Sequence, residues 1–258
     1  MTSISEQFNK DGFYHAKGVF KGQKLRELQK DFDKIVDQLN GSGEQVNALW
    51  GGKRMKSIST ENQYVVHTHQ VQNYSSAYAN AFHNKKFLDI TEEIIGPDII
   101  LHHSKLFMKP PKNGAPFPMH QDWAYFPTIK DSMIAGVIHL SKATDEMGCF
   151  RVYPGSHKLG RLTGMAGQES NERENPLAKK YPLDGSVALE AKPGDVLFFH
   201  YFLLHGSKPN ISSHSRKTVL VQMHAGDDEP DQEKQNHLNS KLTLRGWNHH
   251  MTRGKANV

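Results

Sequence analysis

Cysteine is almost missing from this sequence, since Cys149 is the single one among 258 residues. An intrachain disulfide therefore cannot form, and a metal centre built from several thiolates is excluded. No apolar run approaches the roughly 18 residues that a membrane-spanning helix needs. The N-terminal stretch shows neither the basic-then-apolar order of a secretory signal nor the arginine-rich character of a transit peptide. We therefore expect a cytoplasmic protein without a membrane helix.

Long runs of one charge sign are also missing. The 32 Lys and Arg residues are dispersed among 27 Asp and Glu residues, which gives a formal net charge of +5. Proteins that bind nucleic acid usually concentrate their basic residues in a patch or stripe, so we expect no nucleic-acid partner. The positive balance agrees at least as well with a small anionic substrate that electrostatic attraction brings to the site.

The length and the composition fit one globular domain over residues 1–258, with 36% hydrophobic and 23% charged residues. Apolar residues spaced three and four apart predict an amphipathic helix over residues 23–40. A second helical pattern runs over residues 86–95 and ends at a Gly-Pro pair. We expect the helical part, about residues 1–97, to support the remainder of the chain.

From residue 99 onward, short apolar segments alternate with turn residues, which predicts strands. Pro-Gly pairs at 154–155 and 193–194 supply tight turns. Helices followed by many short strands predict a mainly β protein with flanking helices and a jelly-roll, cupin-like core. We expect this core at about residues 98–225, followed by a C-terminal extension at 226–258.

His120 and Asp122 lie two positions apart in the stretch PMHQDWAYFP. In an extended strand, residues with this spacing point to the same face, so an imidazole nitrogen and a carboxylate oxygen could hold one metal ion. The chain has 16 His residues, and an isolated His-X-Asp pair also arises by chance. Further ligands must therefore support the hypothesis of a metal site.

A third ligand is available from His200 or His205, which lie on or beside the apolar run DVLFFHYFLLH. We favour His205, because it ends this run where a strand would emerge at the mouth of a barrel. His120, Asp122 and His205 would then form the facial triad of two His and one carboxylate that binds non-haem iron(II). The three remaining coordination positions can take two oxygens of a keto acid and O2.

The far carboxylate of such a keto acid needs a cation. Arg216 lies 11 residues after His205, at the start of the strand-like segment RKTVLV. Its planar guanidinium matches a carboxylate in bidentate fashion, and Ser207 could donate a further hydrogen bond. We expect Arg216 and Ser207 to bind the keto acid.

Four stretches resemble the phytanoyl-CoA dioxygenase family of iron(II)- and 2-oxoglutarate-dependent oxygenases. They are HQDWAYFP, GCFRVYPGSH, KPGDVLFFHYFLLHGS and RKTVLV. The likeness runs from the Gly-Pro pair at 96–97 to Met223 and is strong over about half of the chain. It implies a double-stranded β-helix, which is a variant of the jelly roll, with iron(II), 2-oxoglutarate and O2 as cofactor and cosubstrates.

The site residues of this family correspond to positions of the present sequence one by one. The His-X-Asp and the distal His that hold iron correspond to His120, Asp122 and His205. The Ser and Arg that bind 2-oxoglutarate correspond to Ser207 and Arg216. Related halogenases carry Gly or Ala at the position of the carboxylate, so the resemblance implies hydroxylation.

The sequence departs from the family at one point. The enzyme that acts on phytanoyl-CoA has an upstream Lys that helps bind the cosubstrate, whereas the stretch VVHTHQVQN contains none. His67, His69 or Gln70 could substitute for it. The missing Lys also favours a small polar metabolite over a long-chain acyl-CoA as the substrate.

Several weaker predictions concern the surroundings of the site. His103 is a candidate cosubstrate contact or a core histidine, and the adjacent His102 would point to the opposite face. Trp123 and Tyr125 could line the substrate pocket or belong to the core. The polar segment 164–182 could close over the barrel as a lid or form a solvated loop without a role.

These features together predict an enzyme that inserts one oxygen atom into an unactivated C–H bond of a small, anionic metabolite and releases succinate and CO2. Two alternatives remain open. One is an acyl-CoA hydroxylase of the phytanoyl-CoA type, and the other is a non-catalytic jelly-roll protein that binds metal and 2-oxoglutarate. The sequence does not determine the oligomeric state.

Overall fold

Two antiparallel β-sheets pack against each other in the computed structural model, which describes residues 2–47, 63–162, 180–231 and 239–257. The strands are β1 (Phe13–Ala16), β2 (Val66–His69), β3 (Ile99–Lys109), β4 (Phe117–His120), β5 (Ile134–His139), β6 (Phe150–Val152), β7 (Val187–Leu189), β8 (Val196–His200), β9 (His205–Ser207), β10 (Arg216–Ala225) and β11 (Leu242–Arg245). The larger sheet has the order β1-β8-β5-β10-β3-β11, and β2 also pairs with β3. The smaller sheet has the order β4-β9-β6-β7.

The described helices are α1 (Ile4–Asp11), α2 (Gly22–Gly41), α3 (Ser76–Phe82), α4 (Lys85–Ile95) and α5 (Arg253–Ala256). The two helices predicted from the apolar spacing are confirmed as α2 and α4, each within one residue at either end. The side chain of Asn84 caps α4 by accepting from the backbone N–H of Phe87. Helix α1 begins at a reciprocal capping box between Ser3 and Glu6.

The helices cover the outer face of the larger sheet. Phe32 of α2 and Phe87 of α4 are fully buried in one cluster with outward-facing strand residues such as Val219 and Val221. Each such aromatic ring contributes about 2 kcal/mol through the apolar area that it removes from water. The opposite face of the same sheet, represented by Leu220, packs toward the smaller sheet. Because successive side chains of a strand point to opposite faces, every second residue of β10 points toward the space between the sheets.

A register shift interrupts the pairing of β10 with β3. Gln222 lies opposite His103, whereas the next residue of β10 lies opposite Leu101, so His102 is the extra residue of a β-bulge. Both histidine rings approach Phe126, with centroids at 5.9 Å for His102 and 4.9 Å for His103. The expectation that His102 points to the opposite face is therefore wrong, because the bulge breaks the alternation at this position.

The first hundred residues contain strands that their sequence did not predict. The edge strand β1 pairs with β8, and β2 pairs with β3. Strands of four residues carry little periodicity, and distant segments supply their partners. Residues 164–179 of the segment that could form a lid or a solvated loop lie outside the described residues. Within the described part of the chain, none of the helices combines the length and apolarity that crossing a bilayer requires.

Candidate metal and cosubstrate site

The pairing of β4 with β9 brings two histidines together. His120 ends β4 and His205 begins β9, and the two residues lie directly opposite each other in the register. Their ring centroids are 4.2 Å apart, and both residues are buried. Directly opposite residues of an antiparallel pair point to the same face. Strand register therefore fixes the first two donors of the site.

Each histidine is oriented by the backbone two residues before it. Nδ1 of His120 lies 2.8 Å from the carbonyl oxygen of Pro118, and Nδ1 of His205 lies 2.9 Å from that of Leu203. A carbonyl oxygen can only accept, so each Nδ1 carries the hydrogen in these bonds. The lone pair of each neutral ring is then on Nε2, which is the arrangement that metal-binding histidines use.

The carboxylate of Asp122 completes the group. Its Oδ1 lies 3.4 Å from Nε2 of His120 and 3.5 Å from Nε2 of His205. One ligand atom from each of the three residues lies within 4.8 Å of the others, and all three residues are buried. The other oxygen, Oδ2, accepts a hydrogen bond of 2.6 Å from Nε2 of Gln222. These three residues can hold one metal ion, as the sequence predicted.

The local backbone differs from the expected strand. His120 is the last residue of β4, and Asp122 begins a 3-10 turn that ends at Ala124. The carbonyl oxygen of Tyr201 accepts from the backbone N–H of Asp122 at 2.9 Å and holds this turn. The carboxylate therefore reaches the histidines from a turn at the strand end and not from the face of a continuous strand.

Electrostatics prepare His205 and Asp122 for binding a cation. Burial and the neighbouring His120 ring lower the pKa of His205 to about 4, so its imidazole is neutral at neutral pH. Burial by itself raises the pKa of the Asp122 carboxyl, but the two imidazoles beside it outweigh burial and lower the pKa to about 2. A neutral imidazole and an ionised carboxylate are the ligand forms that bind a divalent metal.

One cavity connects these donors to the predicted cosubstrate residues. Its volume is about 440 Å³, including its open side. The lining residues are His120, Asp122, His205, Gly206, Ser207, Arg216, Thr218, Phe107, Phe117, Val137, Phe150 and Leu220. The structure thus brings Ser207 and Arg216 into the same cavity as the three side chains that could hold a metal ion.

The end of this cavity that contains Arg216 is strongly cationic. Arg216 is 2% exposed, and its Nη1 donates to the carbonyl oxygen of Gly148 at 2.5 Å. Its buried Nε has no hydrogen-bond partner among the described residues. Burial lowers the pKa of Arg216 to about 10, which leaves the guanidinium charged at neutral pH. A buried guanidinium with a vacant donor fits a ligand that brings its own carboxylate.

A buried lysine that was not predicted from the sequence lies next to Arg216 and Ser207. Lys109 is fully buried and lies opposite Arg216 in the pairing of β3 with β10. Its Nζ donates to Oγ of Ser207 at 2.6 Å. Burial, followed by the charge of Arg216, holds the pKa of Lys109 well below its usual range. Two-residue alternation along β3 from Phe107 could have indicated that Lys109 faces inward.

Lys105 is a second buried lysine on the same face of β3. Its Nζ lies 4.8 Å from the centroid of the Phe126 ring. Burial lowers the pKa of Lys105 to about 8, although the negative charge of Asp122 opposes this shift. Gln222, which bonds to Asp122, was likewise not predicted from the sequence. Gln222 lies 100 positions from Asp122 along the chain, and no local motif marks either Gln222 or Lys105.

The remaining predicted residues are not among those that line the cavity. His200 ends β8, where its ring centroid is 5.8 Å from that of His157, and it is not part of the metal-ligating group. His103 contacts the ring of Phe126, as described above. Trp123 donates from Nε1 to Gln121, and the Tyr125 ring lies 6.2 Å from that of His120. The roles of His103, Trp123 and Tyr125 in ligand binding stay predictions.

The candidates for the missing upstream Lys lie on or next to β2. His67 is opposite Phe107 and His69 is opposite Lys105 in the pairing with β3. Gln70 adopts a left-handed backbone conformation just after the strand, with φ of 55°. Their proposed substitution for the Lys stays a prediction.

Comparison with known proteins gives a consistent family. The phytanoyl-CoA dioxygenase (PhyH) family model matches residues 8–218. A probable alpha-ketoglutarate-dependent hypophosphite dioxygenase from Stutzerimonas stutzeri is 32% identical over 160 residues, covering 60% of this chain and 55% of the relative. The ectoine dioxygenase of Sphingopyxis alaskensis is 24% identical over 232 residues, covering 83% and 72%. The chain spans about half the length of the first curated relatives that it matches.

Solved structures confirm the fold. The iron-bound EctD of S. alaskensis has a TM-score of 0.69 and 21% identity, covering 93% of this chain and 82% of that one. The non-heme alpha ketoglutarate dependent carbocyclase SnoK from nogalamycin biosynthesis has a TM-score of 0.69 and 22% identity, covering 87% and 84%. The predicted jelly-roll architecture with flanking helices is thus confirmed.

Proposed function

Because this chain belongs to the phytanoyl-CoA dioxygenase family, we propose that it is an iron(II)- and 2-oxoglutarate-dependent oxygenase. In this proposal, residues 1–258 act as one domain that hydroxylates an unactivated C–H bond of a small, anionic metabolite. Succinate and CO2 are the products from the cosubstrate.

One observation carries the proposal. A single cavity has the group of His120, Asp122 and His205 on one part of its wall and Arg216 with Ser207 on another. The three donors suit iron(II), which this ligand type binds with open positions for further ligands. The buried Arg216, whose Nε has no partner among the described residues, suits the far carboxylate of 2-oxoglutarate. The three metal donors would bind the keto end of 2-oxoglutarate through iron, and Arg216 would bind its far carboxylate.

The chain's own residues position the reactants and exclude water. When bound, iron(II) supplies the capacity to activate O2 with electrons from the oxidative decarboxylation of 2-oxoglutarate. Arg216 and Ser207 hold the far end of the keto acid, so that its keto and carboxylate oxygens face His120, Asp122 and His205. Apolar side chains on the cavity wall keep bulk water from this space. These wall residues include Phe107, Phe117, Val137 and Phe150.

Charge and size both favour a small anionic substrate. The positive net charge of the chain favours anions at the mouth of the site. Two relatives are named for small compounds, hypophosphite and ectoine, and hypophosphite is a small oxyanion. A small anionic metabolite agrees with both considerations and with the missing upstream Lys.

A coupled turnover screen tests this function. The iron-loaded chain is given 2-oxoglutarate, O2 and a panel of small carboxylic acids, amines and phosphonates, with phytanoyl-CoA as a comparison. We expect one or more small acids to release succinate in step with a hydroxylated product. Turnover of phytanoyl-CoA alone would contradict the small substrate, and metal-dependent 2-oxoglutarate binding without turnover of any compound would indicate a binding protein.

A further inference from the structure

Lys109 is a buried cation next to Arg216 to which the proposed function gives no role. It is 0% exposed, and it lies opposite Arg216 in the register of β3 and β10. Its Nζ lies 5.1 Å from the centroid of the Phe117 ring, which lines the cavity. Lys109 is not itself among the lining residues, so its Nζ lies behind the wall that Ser207 and Phe117 form.

The hydrogen bonds of Lys109 have a definite direction. Its Nζ donates to Oγ of Ser207 and to the carbonyl oxygen of Lys208, each over 2.6 Å. When Lys109 is protonated, its ammonium has three donors and no acceptor, so Oγ of Ser207 accepts in this bond. The hydrogen of the Ser207 hydroxyl is then available to donate elsewhere, and Ser207 lines the cavity.

The charges at this end of the cavity require an anion. Among the described residues, no carboxylate forms an ion pair with Lys109 or Arg216, whose polar contacts are to Ser207 and to carbonyl oxygens. Two buried cations side by side are costly unless a negative group joins them. A carboxylate that enters the cavity would supply that group.

We propose that Lys109 is a positioning residue for the cosubstrate, which sets Ser207 as a hydrogen-bond donor to the far carboxylate and adds a second positive charge beside Arg216. The inference rests on the proposed function and extends it to selection of the keto acid. A keto acid with a second carboxylate gains from both cations. One that ends in a methyl group gains from neither.

A matched pair of keto acids tests this role without turnover. 2-Oxoglutarate and 2-oxopentanoate share the five-carbon keto-acid skeleton and differ in the far group, a carboxylate or a methyl. Calorimetric titration of each into the anaerobic, metal-loaded protein gives the two affinities. We expect Lys109→Met to weaken 2-oxoglutarate binding by about 10-fold or more, the loss typical of a charge-assisted contact, and to leave 2-oxopentanoate within about twofold.

Lys217→Met is the matched control. Lys217 is the chain neighbour of Arg216, and its Nζ is bonded to Asp33 at 2.5 Å on the outer side of the sheet. The control removes the same charge without touching the cavity, so both affinities should stay as in the parent. Thermal unfolding of both variants checks that the fold is retained.

Ser207→Ala provides a second variant in case Lys109→Met does not fold. It removes the hydroxyl through which Lys109 acts and should produce the same selective loss for 2-oxoglutarate. Equal weakening of both keto acids in these variants, or no weakening of either, would overturn the role of Lys109. A parent protein that binds neither keto acid when metal-loaded would instead overturn the proposed function itself.

Discussion

Gln222 donates a hydrogen bond of 2.6 Å from Nε2 to Oδ2 of Asp122, and it reaches the carboxylate from the opposite sheet. The other oxygen, Oδ1, is left facing the two histidines. A group that hydrogen-bonds to a metal ligand on the side away from the metal fixes the orientation of that ligand and is nearly as important as the ligand itself. We therefore expect Gln222 to determine which oxygen of Asp122 is presented, together with the two histidines, to a bound metal.

Replacing Gln222 by Leu should lower iron(II) affinity by about 10- to 100-fold, as is typical when such an outer contact is lost. The fold should persist, because the side chains are similar in size. The measurement is an anaerobic iron titration of the parent and the variant. Gln29→Leu is the control, since Gln29 bonds to the carbonyl oxygen of Leu140, away from the cavity. Unchanged affinity in Gln222→Leu would refute this role.

The choice of His205 over His200 can be tested directly. We expect His205→Ala to lose tight iron binding, because it removes one of three ligand atoms. His200→Ala should bind iron like the parent, since its Nδ1 accepts from the backbone N–H of Phe202 and its ring lies beside His157. Iron titration of the two variants decides between them, and the reverse result would show that the third ligand is misassigned.

Arg216 should control the cosubstrate and not the metal. Arg216→Met removes a charge-assisted contact and should raise the half-saturating 2-oxoglutarate concentration by roughly 10- to 100-fold, or about 1.5 to 3 kcal/mol. Saturating cosubstrate should restore part of the rate. Arg245→Met is the control. It removes an arginine of β11 that is paired with Asp89 and Glu92 of α4, and it should leave this concentration unchanged. A normal 2-oxoglutarate dependence in Arg216→Met would exclude the residue from the site.

The binding of 2-oxoglutarate should be accompanied by proton uptake. Burial, and then the charge of Arg216, lowers the pKa of Lys109 in the free protein, and a nearby carboxylate would raise it again. The bound state then holds more protons, so affinity should fall as the pH rises through the interval between the two pKa values. Calorimetry in buffers with different ionisation enthalpies measures the uptake. It should vanish in Lys109→Met, and its absence from the parent would contradict this prediction.

The parts of the site that the sequence could predict are those with local signatures. His120, Asp122, His205 and Arg216 lie at strand ends within short recognisable stretches, and the strand pattern is enough to predict the jelly roll. The bulge at His102 has no such signature, because it depends on how β10 pairs with β3. The face to which His102 points could therefore not be derived from alternation alone.

The contacts of Lys109 and Gln222 could not be predicted from the sequence either. Each acts through a residue about a hundred positions away, Ser207 in one case and Asp122 in the other. Long-range contacts of this kind follow from sheet register and from the packing of the two sheets. Residue types and spacing along one sequence do not contain this information.

We propose that one cavity binds iron(II) and then 2-oxoglutarate, and an anaerobic sequential titration measures both binding events. Iron(II) is added first and 2-oxoglutarate second, with calorimetric detection, to the parent and to Asp122→Ala. We predict one iron per chain in the parent, followed by one 2-oxoglutarate whose tight binding requires the iron, and loss of both events in the variant. Iron binding no stronger in the parent than in Asp122→Ala, or 2-oxoglutarate binding that does not depend on iron, would show that this cavity is not the iron and 2-oxoglutarate site.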